Sequence, residues 1–198
     1  MKANYHQYSC DTNDRRMIHV YLTILSILFA YLLFWISENT KLIIPWWLDA
    51  PAIFGFYGIL YFGFKKALWK LNFFRLIFFI KTPNWNGEYM CSLRTSFDDF
   101  SDEKQIKIKI IQDWDTIIIR LETENSVSNS ISGSFSLKDS LMPEFTYEYL
   151  NEPNTTAPET MNIHNGMAKI RIDNKLLKGD FFSGRGRKNY GTFNEIEG

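Results

Sequence analysis

The chain has 198 residues, 22 Lys/Arg against 22 Asp/Glu, and 17% aromatic side chains, a length that permits one domain or two small ones. The charges are segregated: residues 1–83 carry nine basic and four acidic side chains, residues 84–198 thirteen and eighteen. An acidic second part excludes general binding of DNA or RNA polymers, which takes surplus Lys and Arg on the contacting surface, so any nucleotide held there needs a specific pocket.

The reading in chain order begins with a tail, residues 1–16, expected in the cytosol. Met17 to Ile36 is a run of twenty residues without a formal charge, enough at about 1.5 Å per residue to cross roughly 30 Å of hydrocarbon. A second run, Ile43–Phe64, carries only Asp49, near its start, with Pro45 and Pro51 to either side. Regular helix is expected from about Pro51, leaving Asp49 at the interface and Trp46 and Trp47 in the aromatic belt. Arg15 and Arg16 precede the first run, and Lys65, Lys66 and Lys70 follow the second, whereas the connection holds only Lys41. The positive-inside rule then places both termini in the cytoplasm. Ala67–Ile80, apolar but broken by Lys70 and Arg75, reads as a continuation of the second helix or an interfacial segment. Residues 17–83 are thus expected to be a two-helix membrane region. The two cysteines, Cys10 and Cys91, offer neither a disulfide framework nor a metal spacing, and fit a reducing compartment.

After Pro83 the pattern changes to short alternating runs. Eight strands are expected: Gly87–Thr95, Lys104–Gln112, Thr116–Glu124, Ser126–Leu137, Glu144–Asn151, Met167–Asp173, Leu176–Ser183 and Tyr190–Glu197. Turn chemistry separates them, including "DN" at Asp173–Asn174 and "HNG" at His164–Gly166. No helix lies between them to carry a parallel crossover, so the sheet is antiparallel. Residues 84–198 are expected to form an up-and-down eight-stranded barrel, which removes exposed edges, with a two-sheet sandwich as the alternative.

From Ser126 to Ser136 every second residue is serine. Strict alternation puts six hydroxyls on one face and Val127, Asn129, Ile131, Gly133 and Phe135 on the other. Taken alone, the pattern favours serines toward solvent and Val127, Ile131 and Phe135 toward the core, against a polar barrel interior.

The ordered motifs "PNWNGEY", "IKIIQDW", "LETENSVSNS", "TYEYLNEP", "HNGMAKI" and "LKGDFFSGRGR", behind two apolar spans and "FGFYG" at Phe54–Gly58, resemble the SMODS-associating two-transmembrane, β-strand-rich effectors of cyclic-oligonucleotide anti-phage (CBASS) systems. The resemblance implies an inner-membrane protein whose cytosolic, lipocalin-like barrel senses a cyclic dinucleotide made by a partner nucleotidyltransferase (CD-NTase). It also implies self-association of the spans on activation and loss of membrane integrity. The family's Thr-Ser-x-Ser-x-Ser run falls on Thr123, Ser126, Ser128 and Ser130, and turns those hydroxyls toward the ligand.

Residue chemistry supplies the other candidates. Trp114, Tyr147 and Tyr149 offer faces for base stacking, beside the plain alternative of barrel core. Arg185 and Arg187 could hold phosphodiesters, or belong to a solvated turn. Asn151 and His164 could read base edges or ribose hydroxyls, although Asn165-Gly166 suggests a hairpin turn that His164 merely supports. No Walker loop, G-x-G-x-x-G, H-E-x-x-H or G-x-S-x-G occurs. The three histidines, His6, His19 and His164, make no metal cluster, so no catalytic site and no cofactor beyond an activating cyclic dinucleotide is expected. The rival reading is a membrane-tethered lipid or fatty-acid barrel or a structural anchor; cavity polarity separates the two. A selective channel built from the spans is a third, though they lack charged rings.

Overall fold

The computed structural model describes residues 5–40, 52–138, 142–159, 161–184 and 189–196. It divides into two compact units: Thr12–Lys81, and a second that joins the N-terminal residues up to Asp11 to those from Thr82 onward.

In the first unit, helix α1 (Asp14–Thr40) is long and apolar enough to cross a membrane. It contains the whole Met17–Ile36 run, and its 27 residues reach about 40 Å. Helix α2 (Ala52–Lys66) has 15 residues, about 22 Å, so the described part of the second apolar run is shorter than a span. Asp49, Trp46, Trp47, Lys41 and both prolines of that run lie outside the described residues. The segment after α2 does not continue it: a single 3-10 turn (Leu68–Lys70) leads to the short helix α3 (Asn72–Ile77). His19 Nδ1 meets the Tyr57 hydroxyl at 2.7 Å, joining α1 to α2. The buried Asp14 carboxylate accepts from the Arg15 and Lys81 N–H groups, each at 3.0 Å, which fixes the end of the unit to the start of α1.

The second unit is a closed antiparallel barrel. Its eight strands are β3 (Gly87–Thr95), β4 (Lys104–Gln112), β5 (Thr116–Glu122), β6 (Ser126–Ser136), β7 (Glu144–Pro153), β8 (His164–Asp173), β9 (Leu176–Ser183) and β10 (Asn189–Glu195). Each pairs with the next, and β10 returns to β3 with Phe193 opposite Leu93. The up-and-down order follows from short connections, and closure leaves none of the eight with a free flank along the whole sheet. The inward positions form one core: Cys91 and Leu93, Ile106, Ile108 and Ile110, Ile117 and Ile119, Ile170, Leu177 and Phe193.

Two additions come from the residues expected to be a cytosolic tail. Short strand β1 (His6–Gln7) pairs with β5, and β2 (Ser9–Cys10) pairs in parallel with β6. Tyr8 between them is buried, its ring edge-on to Phe135 at 5.5 Å and its hydroxyl donating to the Trp114 carbonyl at 3.0 Å. Strands β5 and β6 pair directly over only three residue pairs, Arg120–Asn129 to Glu122–Val127. Beyond them the seam is occupied by β1 and β2.

Strand β6 corrects the expected alternation. Ser130 lies opposite Tyr149 and Ser132 opposite Glu148, so Ile131 is an extra residue, a β-bulge. The bulge reverses the facing of everything after it. Ser126 and Ser130 are buried, whereas Ser132, Ser136 and Ile131 are exposed and Phe135 is core. Neither the solvent-facing serine row nor Val127 and Ile131 as core survives intact: half of the row faces in, half out. The Asn165-Gly166 turn is also corrected, since both residues lie inside β8, paired with Leu150 and Tyr149. A Cβ at Gly166 would stand 2.2 Å from the Tyr149 hydroxyl, so glycine is there for the ring that lies across it rather than for a turn.

Candidate functional site

The inward faces of β6 and β7 form a gradient. Reading along the register from one end, Phe135 faces Phe145, Gly133 faces Tyr147, Ser130 faces Tyr149 and Ser128 faces Asn151. The aromatic end is filled: the Trp85 and Phe135 rings stand 4.9 Å apart, Phe135 and Phe145 4.6 Å. The polar end is hollow, with a cavity of about 530 Å³, within the size of small-molecule sites. Its mouth is framed by the β3–β4, β5–β6 and β7–β8 connections, through Phe97, Asn125 and Pro158 among others, and by Asn189 at the start of β10.

One wall is polar. Thr123 and Ser126 bring their hydroxyls to 3.1 Å, and Thr123 Oγ1 accepts the Ser126 N–H at 3.0 Å, fixing the tight β5–β6 turn. The Ser128 hydroxyl donates to Asn151 Oδ1 at 2.8 Å. That bond sets the amide, whose Nδ2 donates to none of the described residues. His164 Nδ1 donates to the Asn162 carbonyl at 3.0 Å, which in the neutral imidazole leaves Nε2 as an acceptor. Thr95 and Gln105 complete the polar lining. The other wall is apolar: Leu93, Leu121, Ala168, Phe181 and Phe193. Tyr147 and Tyr149 stand between the two, their rings 6.4 Å apart. Burial pushes both phenols up, that of Tyr149 to about 12, so both remain neutral donors at any physiological pH. The Tyr147 hydroxyl has no hydrogen bond to a described residue. Among the described lining residues the formal charges are Lys104 and Glu124. Lys104 Nζ donates to Asp98 Oδ2 at 2.8 Å, and that hydrogen bond holds the Asp98 carboxyl below its ordinary range.

Of the residues singled out from the sequence, Thr123, Ser126, Ser128, Tyr147, Tyr149, Asn151 and His164 line this cavity. Ser130 faces inward but its hydroxyl is engaged, accepting the Ile119 N–H at 2.9 Å and meeting His6 Nε2 at 2.8 Å. Trp114 is not at the cavity. It is buried in the β4–β5 turn, and its backbone carbonyl holds Tyr8. Arg185 and Arg187 lie outside the described residues, in the segment joining Gly184 to Asn189. Lys104, Gln105, Phe181 and Asn189 were missed. Lys104 and Phe181 sit at regular inward or rim positions of strands whose phase was clear, but no local signal says which end of a barrel is hollow. Among the described residues no group of three His, Cys, Asp or Glu could hold a metal ion.

Comparison with known proteins bears on this barrel directly. The family model described as "Cap15, cyclic dinucleotide receptor domain" matches residues 80–195, which hold all eight barrel strands. The chain belongs to the Cap15 family. A second model, "Cap15, TM helices", matches residues 16–70. Among relatives, CD-NTase-associated protein 15 of Yersinia aleksiciae is 33% identical over 140 residues, 70% of this chain and 65% of that protein. CD-NTase-associated protein 15 of Staphylococcus schleiferi is 25% identical over 122 residues, 62% of this chain and 65% of that protein. The matched region therefore spans just under two thirds of either relative's length. Within this Cap15 chain the cavity falls in the receptor-domain match and α1, from Arg16 onward, in the membrane-helix match.

Proposed function

We propose that this Cap15 chain is a membrane-bound sensor and effector whose barrel cavity takes a cyclic dinucleotide. The observation that carries the reading is the cavity itself, enclosed by a hydroxyl and amide wall, two neutral tyrosines and an apolar wall, inside the receptor-domain match. Tyr147 and Tyr149 offer faces for the bases. Ser126, Ser128, Thr123, Asn151 and His164 meet base edges and ribose hydroxyls. Lys104 at the rim, together with Arg185 and Arg187, neutralises the phosphodiesters. The near absence of fixed charge suits a ligand whose two charges are met at the mouth while its bases go deeper.

The membrane part follows from charge. The apolar run Ile43–Phe64 forms a second span beside α1, with both termini and the barrel on the cytoplasmic side of a bacterial inner membrane. The ligand comes from a partner CD-NTase in a CBASS anti-phage system. Occupancy favours a homo-oligomer of the chain, and the assembled spans disrupt the bilayer and stop the infected cell. A ligand moves such an equilibrium only by its differential affinity for the two states. The chain acts as a receptor and carries no reaction of its own.

Isothermal calorimetry on the full chain in detergent, against a panel of cyclic di- and trinucleotides with a fatty acid as control, tests the reading. Micromolar or tighter binding of one cyclic dinucleotide is expected. Binding of the fatty acid alone would replace the reading with the lipid-carrier one, which the Leu93, Leu121 and Phe193 wall favours.

A further inference from the structure

The seam between β5 and β6 is the weakest part of the barrel ladder, with three direct residue pairs. It forks at Ser130. Toward the mouth, β6 presents Ser128 and Ser126 to the cavity; away from it, residues 6–10 fill the gap. At the fork the hydrogen bonds have one consistent direction. His6 Nδ1 lies 2.9 Å from the Gln7 carbonyl, which can only accept, so in the neutral imidazole Nδ1 carries the proton and Nε2 is the acceptor. The Ser130 hydroxyl, 2.8 Å away, therefore donates to Nε2 while its oxygen accepts the Ile119 N–H at 2.9 Å. Ser130 is 1% exposed. Without the imidazole its proton has no partner among the described residues, and a buried donor left unmade is costly. This relay ties three segments at one point: β5, β6 and the N-terminal strap.

We propose that His6 is a positioning residue for the cavity. Through Ser130 it sets β6 at the fork, so that the Ser126–Ser128 wall is complete only when the strap is seated. The inference rests on the receptor reading and goes beyond it. Linkage makes the coupling reciprocal: a ligand that binds the strap-seated form holds the strap in place by the same factor. The strap ends at Asp11, and α1 begins at Asp14. Occupancy of the cavity is thereby passed to the backbone that enters the first apolar helix.

Two measurements on the full chain in detergent test this: amide hydrogen exchange of residues 6–10, and calorimetric affinity for cyclic di-GMP, cyclic di-AMP and mixed purine–pyrimidine cyclic dinucleotides. His6→Ala is expected to weaken the affinity of the ligand that binds wild type by about five- to twentyfold, within the usual range of coupling factors. Ligand should slow strap exchange in wild type by a similar factor. His6→Gln, which keeps a hydrogen-bonding amide, should restore affinity to within about threefold. A folded His6→Ala chain with wild-type affinity and wild-type ligand-dependent protection overturns the proposal. If nothing in the panel binds, the receptor reading fails instead, and the ligand-free arm still decides the relay. There His6→Ala, Ser130→Ala and the double variant must speed strap exchange equally, whereas additive effects would show two independent contacts and overturn it.

Discussion

Ser128 and Asn151 depend on each other unequally. Removing the serine hydroxyl leaves a buried amide oxygen without its donor, a loss of about 1–3 kcal/mol. Ser132, in the same serine series but beyond the bulge, is exposed and its removal should stay within about 0.5 kcal/mol of wild type. Denaturant midpoints of Ser128→Ala and Ser132→Ala read this directly; equal values would mean that the row is not split at Ile131. Tyr149 makes a second residue-scale prediction. Burial raises its phenol from 10.0 to about 12, so above pH 10 the unfolded chain loses a proton that the folded barrel keeps. Its contribution is therefore complete below pH 10 and is lost as pH rises toward 12. Tyr149→Phe should flatten the alkaline loss of stability in thermal melts across that window.

At the scale of the element, period-two patterning and turn chemistry made the eight strands legible. Gly87–Thr95, Lys104–Gln112 and Leu176–Ser183 fall where expected, because each has one apolar phase and a turn at either end. The hairpin after Asp173 was readable too: Asn174 and Lys175 both adopt positive φ, as a two-residue primed turn requires. The bulge was not readable, since Ser-x-Ser continues unbroken through Ile131 and the sequence carries no mark of the reversal. Asn165-Gly166 misled for a related reason, because the glycine answers a ring on the neighbouring strand. Deleting Ile131 tests what the bulge does. The deletion leaves Ser130 opposite Tyr149 and Phe135 opposite Phe145, so facing is kept, but it removes the local kink that parts β6 from β5. The expected outcome is a folded barrel whose strap amides lose protection in hydrogen exchange. Unchanged protection of residues 6–10 would show that the seam opens for another reason.

At the scale of the whole molecule, the folding unit is not the one that composition outlines. A division at Asn84 separates the barrel from residues 5–11, which two-residue strands make nearly invisible in sequence, yet those residues close its seam and bury Tyr8 against Phe135 and Phe145. The Tyr8 hydroxyl also accepts from Gln112 Nε2 at 3.3 Å, and the Asp11 carboxylate accepts the Leu137 and Lys138 N–H groups at 2.9 and 3.0 Å. Losing one buried aromatic side chain costs about 3–5 kcal/mol, a large share of the 5–15 kcal/mol that holds a typical domain together. A Thr82–Gly198 fragment should therefore melt at least about 10 °C below one that retains the strap. It should also self-associate, because the opened β5 and β6 flanks are unpaired edges. Adding a synthetic peptide of residues Tyr5–Asp11 in trans should raise the melting temperature with saturation, and a Tyr8→Ala peptide should not. Calorimetric melting with light scattering checks all three, and a strapless fragment as stable and monodisperse as the strapped one would mean that the seam closes without the N-terminus.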